Sequence, residues 1–361
     1  MHELSSVPAD IFGSPRARLF TVVSHGWRSF KPISPLFVAA ALTFVACGGT
    51  PEDFGDWESR FAWGAHVALQ SPNEPYTDAI QRVEAQLGSP MSAARIYHRW
   101  EDPFPTDTEK FLKSDKRLMV LSIKPIRVDG SRIPWADLAS TQDGEPLFKE
   151  LTTWVKNIKK IGRPIYVTLH HEPETGDDQA SGTTADYLAA WRRFATLIRE
   201  RGGPNARLMW IMTDRSFTLP ADDRQAAASW YPGDEFVDAI GVDAFNWFTC
   251  RDRSEGWKSA AELVEPARQF ALTHPGKELW ITELGTIDDP ERPKRRTKWL
   301  TEAARLPMSP GWEQLHGVLY FDDVHGAEFP KCNWHIDDTS GVALGELARI
   351  PAEPTTTVAN P

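Results

Sequence analysis

Between residues 61 and 321 the chain alternates short, almost wholly apolar runs with longer stretches in which apolar residues return every three or four positions. The short runs, rich in Val, Ile, Leu and aromatics, predict strands at 61–67, 94–97, 118–123, 165–170, 208–212, 237–242, 279–282 and 318–321. The longer stretches predict helices at 75–87, 146–161, 184–201, 257–273 and 292–304. Within 184–201, Tyr187, Trp191, Phe194 and Ile198 fall on one face of a 3.6-residue period. Strands that are apolar throughout and joined through helices belong in a parallel sheet, because a parallel pair needs a crossover and both its faces are covered. Eight such units in one α/β domain over 59–350 predict a (β/α)8 TIM barrel. A doubly wound open sheet is the alternative, but "WGAHVALQS" after the first strand carries no Gly-rich phosphate loop.

A barrel keeps its chemistry at the C-terminal ends of the strands. Polar and aromatic residues stand there in "RIYHRWEDP", "SIKP", "LHHEPE", "VDAFNW", "ITELGT" and "YFDDVHG". In the fourth strand's terminus His170, His171, Glu172 and Glu174 suggest metal ligands, yet adjacent histidines on a strand point to opposite sides, and a zincin helix needs them four apart. No metal and no cofactor is therefore expected. The other reading pairs Glu172 with Glu283 across the barrel mouth. Glycoside hydrolysis needs one carboxyl to protonate the leaving oxygen and another to attack the anomeric carbon or activate water. Taken alone, Glu172 could equally be a helix cap or a surface acid, and Glu283 a salt-bridge partner of Lys298 or an Arg.

Four stretches taken in order, "PIYVTLHHEPE", "DYLAAWRRFATLIRERGGPNARLMWIMT", "WYPGDEFVDAIGVDAFN" and "KELWITELGT", resemble glycoside hydrolase family 26, mannanase-like retaining enzymes of clan A. The resemblance implies a (β/α)8 barrel, with Glu172 after His171 as the acid/base and Glu283 as the nucleophile. It also implies departures. Thr168-Leu169-His170 replaces the family's Arg-Pro-Leu, Ile123-Lys124 replaces a Trp-His pair, and Phe245 replaces a Tyr that hydrogen-bonds the nucleophile. The Trp that closes strand eight is absent, with Asp322 and Asp323 nearby. The implied function is retaining hydrolysis of a β-linked polysaccharide or oligosaccharide, whether mannan, xylan, glucan or cell-wall glycan. A carbohydrate-binding barrel without activity and a metal-dependent hydrolase are the rival readings. The resemblance implies that His171 touches the sugar or orients a carboxylate; by position, His98, Trp100, Lys124, Asp243, Asn246, Trp247 and Asp322 are the further expected sugar contacts, whereas Trp154, Trp191 and Trp210 read as core.

Composition changes the picture in two places. A net charge of −10 argues against a polyanionic partner, so nucleic acid is not expected. At the N-terminus Arg16, Arg18, Arg28 and Lys31 precede the apolar "PLFVAAALTFVA" and then Cys47. That run is shorter than the roughly 20 residues a bilayer span needs. Residues 1–46 therefore read as a lipoprotein-type signal, with Cys47 the lipidated residue of "FVAC", or else a plain secretory leader. The expectation is an exported protein, at the cell surface or secreted, touching membrane only through a lipid anchor and needing no obligate protein partner. Residues 47–58 read as a tether and 351–361 as a flexible tail. Cys250 and Cys332 then remain as a possible disulfide or as two buried thiols.

Overall fold

The computed structural model describes residues 61–349 except 72, 176–177, 252–254 and 325–330. The predicted signal 1–46 with Cys47, the tether 47–58 and the tail 351–361 lie outside the described residues.

Eight parallel strands close into a barrel in chain order: β1 (Ala62–Val67), β2 (Ala93–Arg99), β3 (Leu118–Lys124), β4 (Ile165–Leu169), β5 (Ala206–Thr213), β6 (Ala239–Asn246), β7 (Glu278–Thr286) and β8 (Leu315–Asp322), with β8 pairing back onto β1. All eight predicted strands are present. Most extend beyond the apolar run, because the polar residues at their ends still make ladder hydrogen bonds. The α-helices are α1 (Tyr76–Leu87), α2 (Asp107–Ser114), α3 (Trp135–Ser140), α4 (Pro146–Ile161), α5 (Thr184–Arg201), α6 (Ala227–Trp230), α7 (Ala260–Leu272), α8 (Arg295–Arg305) and α9 (Asp338–Leu344). Of these, α2, α3, α6 and α9 are too short to show a clear period in the sequence. Helix α2 instead announces itself by a capping box in which Thr106 and Glu109 satisfy each other's backbone donors.

The helices cover the outside of the sheet, and a second apolar layer fills the barrel. Ala62, Ala93, Val120, Tyr166, Met209, Ile211, Ala239, Trp280 and Leu319 form that inner plug. Trp280 is its largest member, and it fits because Gly317 stands opposite: a Cβ there would lie 2.1 Å from the indole. Trp154, Trp191 and Trp210 are buried in the outer layer, as expected. A disulfide joins Cys250 to Cys332 and ties the loop after β6 to the segment after β8. Among the described residues no helix is long and apolar enough to cross a membrane.

Candidate active site

Side-chain parity decides what faces the barrel mouth. On β2, Ala94 and Ile96 pack outward against the helices, whereas Ala93 joins the inner plug. Arg95 and Tyr97 therefore continue the inner face, and His98 and Trp100 turn outward. On β6, Ile240, Val242 and Ala244 face the helices, which leaves Asp243 and Phe245 inside. Strict alternation on β7 would send Glu283 outward behind Trp280 and Thr282. A β-bulge prevents this: Val242 pairs with Ile281 and Asp243 with Glu283, so Thr282 is the extra residue and Glu283 turns to the mouth. At the end of β4 the chain makes a tight turn with φ of 59° at His170 and 52° at Glu172. Left-handed backbone at two non-glycine residues is strained, and such strain gathers where a side chain must be aimed.

The result is a cluster of three carboxyls. One oxygen each from Glu172, Asp243 and Glu283 lie within 4.8 Å of one another at the floor of a cavity of about 1220 Å³. The Tyr97 hydroxyl donates to Glu283 Oε1 at 2.6 Å, and the Arg95 guanidinium lies 3.6 Å from the same oxygen. Thr282 Oγ1 donates to Asp243 Oδ1. Burial, reinforced by the charges of Glu283 and Glu172, pushes the Asp243 carboxyl well above the usual range. Burial opposes the charge of Arg95, but Tyr97, Glu283, Asp243 and Glu172 together outweigh it and hold the guanidinium above its ordinary value. Burial likewise keeps the Tyr97 hydroxyl protonated as a donor. Three carboxylates could in principle hold a cation. Here the fixed charge facing them is the guanidinium of Arg95, which disfavours a second positive charge in the same space.

The other predicted residues are distributed unevenly. His171, Lys124 and Trp247 line the cavity together with Glu172, Asp243 and Glu283. Trp247 does not offer it a free aromatic face, since the Arg251 guanidinium stacks 3.0 Å from the indole centroid. His98 reaches the cavity wall, but its ring is held by Glu109 at 3.0 Å and packed by Phe104 and Trp154. Trp100, Asn246 and Asp322 do not line the cavity: Trp100 follows the end of β2, and Asn246 and Asp322 sit on the outward parity of β6 and β8. Trp100 donates to Glu150, Asn246 bridges Thr286 and the Lys258 amide, and Asp322 accepts from the Ile336 amide. His170 accepts a hydrogen bond from the Trp135 indole at 2.9 Å, behind the site. Glu174 takes the Thr213 amide and hydroxyl.

Two residues absent from the sequence reading prove central: Arg95 and Tyr97. The signal was available, because apolar Ala94 and Ile96 place 95 and 97 on the opposite face of β2. Asp214 is a third. It lines the cavity, and burial raises its carboxyl to about 6 despite the opposing pull of Lys258 and Arg251.

Residues 137–290 match the model of Glycosyl hydrolase family 26. Endoglucanase H of Acetivibrio thermocellus is 26% identical over 163 residues, which cover 42% of this chain and 17% of that protein. A Beta-1,3-xylanase of Alcaligenes sp is 28% identical over 137 residues, covering 37% of this chain and 25% of that one. The chain thus spans a quarter or less of the length of these two relatives. Among solved structures, a modular endo-beta-1,4-mannanase from Cellulomonas fimi superposes with a TM-score of 0.57 at 17% identity, over 84% of this chain and 76% of that one. That likeness is one of fold. The matched segment runs from α3 through β4, β5 and β6 to the end of β7, and so contains Glu172, Asp243 and Glu283. The resemblance carried by the four sequence stretches is thereby shown, and over residues 137–290 this chain is similar to glycosyl hydrolase family 26.

Proposed function

We propose that the protein is a retaining glycoside hydrolase that cleaves a β-linked polysaccharide or oligosaccharide by double displacement. The observation that carries this reading is the approach of the Glu172 and Glu283 carboxyls to within 4.8 Å at the open end of the barrel. Retaining glycosidases hold their two carboxyls about 5–5.5 Å apart, while inverting enzymes leave about 6.5–9.5 Å for a water. Glu283 attacks the anomeric carbon and expels the leaving oxygen, which takes its proton from Glu172. Glu172 then removes a proton from water as the water displaces Glu283 from the sugar, and both carboxyls return to their starting states.

The relatives support a β-linked polysaccharide as the substrate class. Glucan, 1,3-linked xylan and 1,4-linked mannan are the polymers that their names specify. Bacterial cell-wall glycan completes the set to be tried. The Cys250–Cys332 disulfide supports export to an oxidising compartment; anchoring through a lipidated Cys47 rests on the sequence pattern alone.

Reducing-end release across this panel tests the reading. Glu283→Ala should lower kcat by about 10⁴-fold or more on the cleaved polymer while leaving binding intact. Glu172→Ala should retain turnover only on aryl glycosides whose leaving groups need no proton. A wild-type protein that binds a glycan without releasing reducing ends favours the inactive carbohydrate-binding barrel. Activity that survives Glu283→Ala excludes the double-displacement role.

A further inference from the structure

The family resemblance expects a hydroxyl on the nucleophile from the end of strand six, where this chain has Phe245. That ring packs against Trp247, Phe321 and Trp334 and offers no donor. The hydroxyl comes instead from β2, since Tyr97 donates to Glu283 Oε1 at 2.6 Å. Beneath Tyr97 lies Arg95, whose side chain is fully buried. Its guanidinium carbon is 4.5 Å from the Tyr97 ring centroid. Among the described residues, none of its three side-chain nitrogens has a hydrogen-bond partner. A buried arginine with a purely structural role would spend its donors on carbonyls or a bidentate carboxylate, because desolvating the charge is costly without them. Among the described residues, Glu283 is the one carboxylate within ion-pair distance of this guanidinium.

We propose that Arg95 and Tyr97 are positioning residues for the reaction proposed above, and this inference rests on that reading. Tyr97 fixes one oxygen of Glu283 by its hydroxyl, leaving the other to attack. Arg95 supplies an unquenchable positive charge under the cluster and polarises the Tyr97 ring from below. Together they replace from β2 a function that Phe245 cannot perform from β6. The groups facing Glu283 are then Arg95 and Tyr97 from β2, His171 and Glu172 from the turn after β4, and Asp243 from β6. His66 of β1 touches the Tyr97 ring, with centroids 4.9 Å apart, and His171 approaches it at 5.4 Å. Removing either the hydroxyl or the guanidinium takes away a group that favours the ionised form of the cluster, so the acid side of its titration must move to higher pH.

The test uses Tyr97→Phe, Arg95→Met and Arg95→Lys on whichever glycan the wild type cleaves. Tyr97→Phe should lower kcat by about 10- to 100-fold with KM within about threefold, and shift the acid limb of kcat/KM upward by about half a pH unit or more. Arg95→Met should shift it further, and Arg95→Lys should restore part of the shift. Should Arg95→Met fail to fold, Tyr97→Phe carries the test, as it removes one oxygen and adds nothing. A ¹³C carboxyl titration of glutamate-labelled protein, with Glu283→Gln for assignment, reads the same displacement without any turnover. A Tyr97→Phe protein with unchanged acid limb, unchanged carboxyl titration and kcat within about twofold of wild type overturns the proposal. Failure of the glycosidase reading shows separately, as a wild type that cleaves none of the panel, and the carboxyl titration still decides the role of Tyr97 and Arg95.

Discussion

Asp243 shows how strongly one residue's chemistry depends on its neighbours. Only 1% exposed, it shares its site with two glutamates. Its folded-state pKa lies above the unfolded value of about 3.9, so the folded protein binds the extra proton. Stability assigned to this group is therefore fully present below the unfolded pKa and is lost as pH rises toward the folded one. Asp243→Asn keeps an acceptor for Thr282 and removes that loss. Thermal melts should show the variant close to wild type at pH 4 and more stable than wild type at pH 8. Equal displacement at both values would contradict a raised Asp243 pKa. Asn246 and Asp322 have the right chemistry for a sugar contact, but each occupies the strand face turned toward the helices, and Trp100 follows the end of β2 with its indole on Glu150.

At the scale of elements, the loop after β6 and the segment after β8 act as one unit. Cys250–Cys332 closes a loop of 82 residues in sequence separation. Around it Tyr320 donates to the Trp334 carbonyl at 2.7 Å, and Arg296 donates to the carbonyls of Trp334 and His335. Asp322, lost to the cavity, anchors the same segment through the Ile336 amide and His335. Closing a loop of this length restricts the unfolded chain by about 4 kcal/mol in the entropic account. Replacing both cysteines with serine should lower the melting midpoint by several degrees, and adding reductant to the wild type should reproduce the effect. A midpoint unmoved by either would show that the neighbouring hydrogen bonds alone fix the segment.

For the whole molecule, the barrel separates stability from chemistry along its axis. At the N-terminal end Glu278 accepts from the Tyr166 hydroxyl and the Trp280 indole, whose rings pack with centroids 4.7 Å apart. Glu278→Ala removes the carboxylate that these two buried donors share, at a cost of roughly 1–3 kcal/mol. The expected outcome is a clearly lower melting midpoint with kcat/KM at 25 °C within about twofold of wild type. A large loss of kcat/KM in the folded variant would mean that the two ends are coupled.

The sequence by itself determined the closed α/β barrel, because eight apolar runs separated by helical periods leave few ways to bury both faces of a parallel sheet. It also determined the two glutamates at the ends of strands four and seven, since polar residues at strand ends stand out against apolar runs. Tertiary structure alone decided which neighbours serve them. The bulge at Thr282 reverses the parity of β7, the left-handed turn at His170 and Glu172 re-aims β4, and closure brings Arg95 and Tyr97 of β2 against Glu283 of β7. Each of these depends on register or on contacts between segments far apart in the chain, which local patterns of hydrophobicity do not encode.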